Sequence, residues 1–162
     1  MDVIAEDLGF LTPSVLKLVH KTGYPGMKVL QFAFDPAGDS TYLPHNYPKN
    51  SVVYTGTHDN DTSIGCYKSL NRREKQFAKA YLGLQGMKNV NWAFIRTALA
   101  SMSDTAIIMM QDYLGLSSEA RINTPSTLGD NWKWRMLPGQ ADEKLAEKIR
   151  EMCFVYARCT KA

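Results

Sequence analysis

Four short runs in this chain are apolar almost without interruption: residues 3–5, 28–34, 52–55 and 106–110. A strand with one wet face alternates apolar and polar residues, whereas a strand covered on both faces does not. Only the second run alternates at all, so the runs predict a parallel sheet buried between helices. Stretches with helical spacing separate some of them. Thr12-Pro13 supplies a capping hydroxyl and a proline at the first helical position, and Val15, Leu18 and Val19 share one face before a stop near Gly23. Residues 72–84 align Phe77, Tyr81 and Leu84, residues 90–102 align Phe94, Ile95, Ala98 and Leu99, and residues 142–158 align Leu145, Ile149, Met152 and Tyr156. Each stripe is expected to face the core. The pattern is a β-α-β rhythm, broken by two long loops at 35–50 and 119–139 whose aromatic content argues against disorder.

Composition narrows the function classes. A net charge of +3, from 19 basic and 16 acidic residues, is too slight for a nucleic-acid surface, and the longest basic run is the pair Arg72-Arg73. No apolar stretch approaches a membrane span, and Asp2 and Glu6 stand where a signal peptide would be basic and then apolar. Three cysteines, Cys66, Cys153 and Cys159, are odd in number and match no CxxC spacing. Cys153 and Cys159 are expected on one helix facing different ways. Free thiols in a reducing cytoplasm are the expectation.

Chemistry concentrates where strands end. The run Gly56-Thr57-His58-Asp59-Asn60-Asp61 follows Val52-Val53-Tyr54 directly, and Ile4-Ala5 empties into Glu6-Asp7-Leu8-Gly9. Strand ends are where α/β proteins place reacting groups. Glu6, near Leu8 and Phe10, is a candidate for a raised pKa and proton donation to a leaving group; the alternative is a helix cap or a structural ion pair. His58 and Asp59 side by side suit a hydroxyl-rich substrate and developing positive charge; the alternative is an Asx turn with a supporting histidine. Asp59-x-Asp61-x-Ser63 opens like a calcium loop but places Ile64 where glycine is needed and Leu70 where glutamate is needed, so no metal is expected. There is no Gly-x-Ser-x-Gly elbow, and Gly83-Leu84-Gln85-Gly86 completes no phosphate-binding motif. Trp132 and Trp134, with Phe32, Phe34, Tyr42 and Tyr47, are candidates for stacking on sugar rings, or equally for pinning loops to the core.

Taken together, Ile4-Ala5-Glu6-Asp7-Leu8-Gly9, Pro25 through Phe32, Leu43-Pro44-His45-Asn46-Tyr47, Tyr54 through Asp61, Ser118 through Pro125 and Asn131-Trp132-Lys133-Trp134-Arg135 resemble the 4-alpha-glucanotransferases, also called amylomaltases or disproportionating enzymes. The resemblance implies a (β/α)₈ TIM barrel and a retaining transfer of α-1,4-glucan segments between maltooligosaccharides, with no cofactor. Glu6 matches the family's general acid/base, Asp59 its transition-state-stabilising aspartate and His58 a substrate-contacting histidine. Phe32 and Asn123 match positions near the sugar subsites.

One departure stands out. The family's nucleophile is an aspartate in an Arg-x-Asp-His motif, and these 162 residues contain no Asp-His pair; His58-Asp59 is the reverse. Four candidate strands are also half of what a barrel of roughly 200 residues or more requires. The expectation is therefore an α/β chain forming the C-terminal half of the barrel with long βα loops. Residues 1–162 would be a single partial domain, inactive alone and able to self-associate, or to pair with an N-terminal part, through exposed barrel edges. Two other readings stay open: a noncatalytic α-glucan-binding module that keeps the aromatic subsites, and a hydrolase in which water is the acceptor.

Overall fold

The computed structural model describes residues 3–38 and 40–159. Its centre is a parallel sheet of β1 (Gly26–Val29), β2 (Ser51–Tyr54) and β3 (Thr105–Ile107), in that order, with Met27 opposite Val52 and Val53 opposite Ala106. The expected α/β class and parallel pairing are therefore present. Burial is uneven. Ser51, Val52 and Val53 of β2 are buried, whereas most of β1 and β3 is partly or openly exposed, so only the central strand is enclosed.

Three of the four expected strands form, with shifted ends. Residues 3–5 contribute a single parallel bridge, Ala5 to Gly26, in which the Ala5 N–H donates to Pro25 O at 2.9 Å. The ladder goes no further because the Asp7 carboxylate takes the Met27 N–H at 2.6 Å. A Cβ on Gly26 would meet Asp7 Oδ2 at 2.5 Å, so glycine is what lets the carboxylate approach. The run 28–34 is strand only to Val29. A 3₁₀ helix follows (Leu30–Phe34), burying Leu30, Ala33 and Phe34 and turning Phe32 outward. The apolar run 106–110 likewise bends from β3 into a short helix.

The helices are α1 (Pro13–Thr22), α2 (Ser63–Ser69), α3 (Arg72–Leu82), α4 (Val90–Leu99), α5 (Met110–Tyr113) and α6 (Glu143–Val155). Local chemistry sets their ends. Thr12 Oγ1 caps α1 and Gly23, at φ 70°, closes it, as the sequence predicts. Asn71 and Glu74 form a reciprocal capping box at α3, and Asp142 caps α6. The short α2 and α5 leave too little periodicity to be read from sequence.

Most of the core surrounds α4, which buries eight of its ten residues. Phe94 meets Phe34 edge-on at 5.2 Å within a cluster that includes Leu30, Val53, Tyr67 and Ala98. A second cluster joins Trp92, Ile95 and Leu99 to Leu145, Ile149, Met152 and Tyr156 of α6, the stripe that its spacing predicts. The Arg158 guanidinium, just past α6, donates to the carbonyls of Leu99, Ser101, Ser103 and Asp104, closing the turn between α4 and β3. Cys159 lies beyond the end of α6, so it does not share a helix with Cys153. All three cysteines are free.

The expectation for α1 fails. None of its residues is buried, and Val15 and Leu18 are 40% and 60% exposed. Its apolar stripe is real, but no part of the described chain covers it. Among the described residues no helix is long and apolar enough to cross a membrane.

Candidate active site

Because the sheet is parallel, the segments leaving the C-terminal ends of β1, β2 and β3 emerge at one edge. The loop after β2 carries His58 and Asp59. Its turn is made by their neighbours: Asn60 Oδ1 accepts from both the N–H and the hydroxyl of Thr57, and the Asn60 N–H returns to Thr57 O at 3.0 Å. This is a β-turn whose fourth residue, Asn60, reaches back to the first; it is not the Asx turn weighed as the alternative, in which a carboxylate or amide accepts from the N–H two residues on, and the Asp59 carboxylate takes no part in it. At Gly56 a Cβ would meet Gln31 Nε2 at 2.5 Å. The bare glycine lets Gln31 reach across and donate to Asp61 O at 2.6 Å, tying the segment after β1 to this loop.

Asp59 is positioned from a distance in sequence. Asn123 Nδ2 donates to Asp59 Oδ1 at 2.6 Å, and the Asn123 N–H donates to His58 O at 3.1 Å. Arg121 donates through Nη2 to the Asp59 carbonyl at 2.6 Å and through Nε to Asn123 O at 2.8 Å. His58 Nε2 stands 3.3 Å from Asp59 Oδ1, with both side chains about half exposed. The His58 ring lies 5.0 Å from that of Trp132, whose backbone sits in the left-handed region at φ 64°. A large side chain held there is a strained arrangement of the kind that clusters at functional sites. The Trp132 N–H is fixed to Ile122 O at 2.7 Å.

The other sequence candidates fall nearby with different degrees of order. Phe32 is 44% exposed and stands edge-on to Tyr42 at 5.3 Å. Glu6 follows the Ala5 bridge and is exposed. Of the two apolar neighbours that the sequence suggests for it, Phe10 is 96% exposed and Leu8 is partly buried. The calcium reading gains nothing, since Asp61 Oδ1 accepts from the Thr62 N–H and Oδ2 from Ser118 Oγ, both at 2.7 Å. No group of three or more His, Cys, Asp or Glu side chains among the described residues could hold a metal.

His58, Asp59 and Asn123 are thus assembled into one unit, with Phe32 on the adjoining segment and Glu6 on the chain beside β1. Arg121 was missed. Its only sequence signal is its place two residues before Asn123. The arrangement offers a half-exposed carboxylate with one oxygen fixed and Oδ2 without a hydrogen-bond partner among the described residues, an imidazole beside it and an indole behind the imidazole. Such a site can hold hydroxyl groups and stabilise a cation.

The model of a family described as 4-alpha-glucanotransferase matches residues 1–141. A 4-alpha-glucanotransferase of Clostridium butyricum is 47% identical over 160 residues, 98% of this chain and 33% of that protein. A chloroplastic/amyloplastic 4-alpha-glucanotransferase of Arabidopsis thaliana is 45% identical over 159 residues, 96% of this chain and 28% of that protein. Among solved structures, an amylomaltase from Streptococcus agalactiae in complex with acarbose superposes with a TM-score of 0.92 at 36% identity, over 97% of this chain and 32% of that one. The chain thus spans about a third of the length of the relatives it matches.

Proposed function

This chain belongs to the 4-alpha-glucanotransferase family, and from that premise we propose that it supplies part of the machinery for a retaining transfer of α-1,4-glucan segments between maltooligosaccharides. Residues 1–162 act as one partial domain, the C-terminal half of a (β/α)₈ barrel. Glu6 protonates the glycosidic oxygen as the leaving sugar departs, and later takes the proton from the hydroxyl of the acceptor sugar. Asp59 stabilises the oxocarbenium-like charge between those steps, without bonding to it. His58, Asn123 and Phe32 contact the sugars. The nucleophile, a carboxylate that forms and then releases the glycosyl bond, comes from outside these residues, which hold no Asp-His pair. In retaining enzymes it would stand about 5–5.5 Å from the acid/base carboxyl.

The observation that carries this reading is the fixing of Asp59 by Asn123 at 2.6 Å and by Arg121 at 2.6 Å, with Oδ2 left for a substrate. Fixed charge aimed at a developing cation is where the largest catalytic contributions arise. The exposed stripe on α1 and the single-bridge edge of β1 support a missing partner surface, and with it self-association of the chain when alone. Three free thiols fit a reducing compartment such as the cytoplasm.

The test is complementation. The chain is assayed for maltotriose disproportionation alone and after mixing with the N-terminal two thirds of a family relative. Inactivity alone and turnover in the mixture are expected, with Asp59→Asn abolishing it by about 100-fold or more. Robust turnover by the chain alone, or an undiminished Asp59→Asn mixture, would overturn the proposal. Sedimentation of the isolated chain checks association: a strict monomer at high concentration counts against the exposed-edge argument.

A further inference from the structure

Under the site lie two adjacent polar residues on α5, Gln111 and Asp112, 2% and 0% exposed. Burying such groups is costly unless they are used. Both are used, and toward the two segments that build the site. Asp112 Oδ2 accepts from Thr55 Oγ1 at 2.5 Å and Oδ1 accepts from the Ser63 N–H at 2.7 Å. Thr55 is the residue before Gly56 and Ser63 is the first residue of α2, so one carboxylate holds both ends of the loop bearing His58 and Asp59. Gln111 Nε2 donates to Ala120 O at 3.2 Å, immediately before Arg121 and Asn123. The pair is itself anchored to the core by Asn91 of α4, whose Nδ2 donates to Asp112 O at 2.8 Å.

We infer that Gln111 and Asp112 form a positioning pair that sets the placement of the His58-Asp59 loop relative to the segment carrying Arg121, Asn123 and Trp132. Neither residue is positioned to touch substrate; they act through Thr55, Ser63 and Ala120. Burial and the nearby Asp61 charge push the Asp112 carboxyl upward, while its bonds to Thr55 and Ser63 pull it down. Its partners are a hydroxyl and an amide rather than a cation, which suits a group retained for geometry. The consequence for catalysis rests on the proposed transferase reading; the positioning itself does not.

The tilted His58–Trp132 ring pair, centroids 5.0 Å apart, joins the two segments and reports on their spacing. In NMR spectra the His58 ring protons, assigned with a His58→Gln variant, should carry an upfield ring-current shift from the indole. Asp112→Ala and Gln111→Met are expected to remove at least about half of that shift. Asp112→Asn keeps an acceptor for Ser63 and a polar group for Thr55, and should retain it. Ile149→Ala, which destabilises the second core away from the site, should leave it unchanged. If Asp112→Ala does not fold, the nearly isosteric Thr55→Val takes its place with the same expected loss. A preserved shift in both Gln111→Met and Thr55→Val, with only a lower Tm, would show a merely stabilising pair and overturn the inference. In the complemented enzyme, Gln111→Met should lower kcat about tenfold with KM nearly unchanged, as expected of misplaced groups. An equal fall in Ile149→Ala would also overturn it. If the complemented wild type has no transferase activity, the functional reading fails and the ring-current result stands by itself.

Discussion

The β2–α4 centre is the more apolar in sequence, but the α1–β1 flank also carries an apolar stripe, and the two end differently. At the centre, Val53, Phe34 and Phe94 are at most 1% exposed and the chain covers itself. At the flank, α1 has good caps and a well-formed stripe but buries nothing, and residues 3–5 reach the sheet by one bridge. Amphipathic spacing determines that a helix has a core-facing side. It does not determine that the covering surface is in the same chain. The relatives this chain matches are about three times its length, and under the half-barrel proposal the flank is the surface that further protein would cover.

Four measurements test that contrast. The largest effect belongs to the centre: Phe94→Ala should cost about 3–5 kcal/mol in denaturant unfolding, through lost burial and the cavity it leaves. A cost below about 1 kcal/mol would mean that the centre is no better covered than the flank. Next, Gly26→Ala should cost about 1–3 kcal/mol, because the new methyl displaces the Asp7 carboxylate, a fixed point of the flank. Loss of hydrogen-exchange protection at Ala5 and Met27 would accompany it; unchanged protection would refute the clamp.

The third is a pH dependence. Asp112 has its carboxyl raised above the ordinary 3.8 by burial, so the folded chain holds that proton more tightly than the unfolded one. Its contribution to stability is fully present below 3.8 and is lost as pH rises through the folded value. The difference in unfolding free energy between wild type and Asp112→Asn should therefore slope across that window, by no more than about 1.4 kcal/mol per pH unit, and be flat above it. A difference independent of pH would mean that Asp112 titrates normally. The smallest effect returns to α1: Leu18→Ser, at 60% exposure, should shift the stability of the chain alone by no more than about 0.5 kcal/mol. The same change should weaken complementation by the N-terminal two thirds of a family relative. Equal silence in both experiments would mean that α1 faces solvent in the complemented mixture too.

What the sequence discloses follows the same division between local and distant causes. The caps of α1, Thr12 and Gly23, lie within a few residues of what they cap, and they were readable. So was the β2 loop, because His58 and Asp59 are adjacent. The end of β1 at Val29 was not, since the apolar run continues through Phe34 and only the three-dimensional spacing of Leu30, Ala33 and Phe34 makes it a 3₁₀ helix. Arg121 and Asp112 were hidden for a stronger reason. Arg121 acts on Asp59, 62 residues away, and Asp112 on Thr55, 57 residues away, and nothing in the local pattern of an arginine or a buried aspartate announces such a partner.

The Arg158 guanidinium bears on the order in which the chain can be finished. The turn from α4 to β3 is local in sequence, but its carbonyls receive their donors from a residue 54 to 59 positions later. Those acceptors can therefore be satisfied from within the chain only after α6 has been made. Even without residue 158, β3 stays tied to β2 through its ladder, the Asp104 N–H to Lys49 O and the Ser51–Ser103 hydroxyl pair, so the late donor completes the turn rather than the sheet.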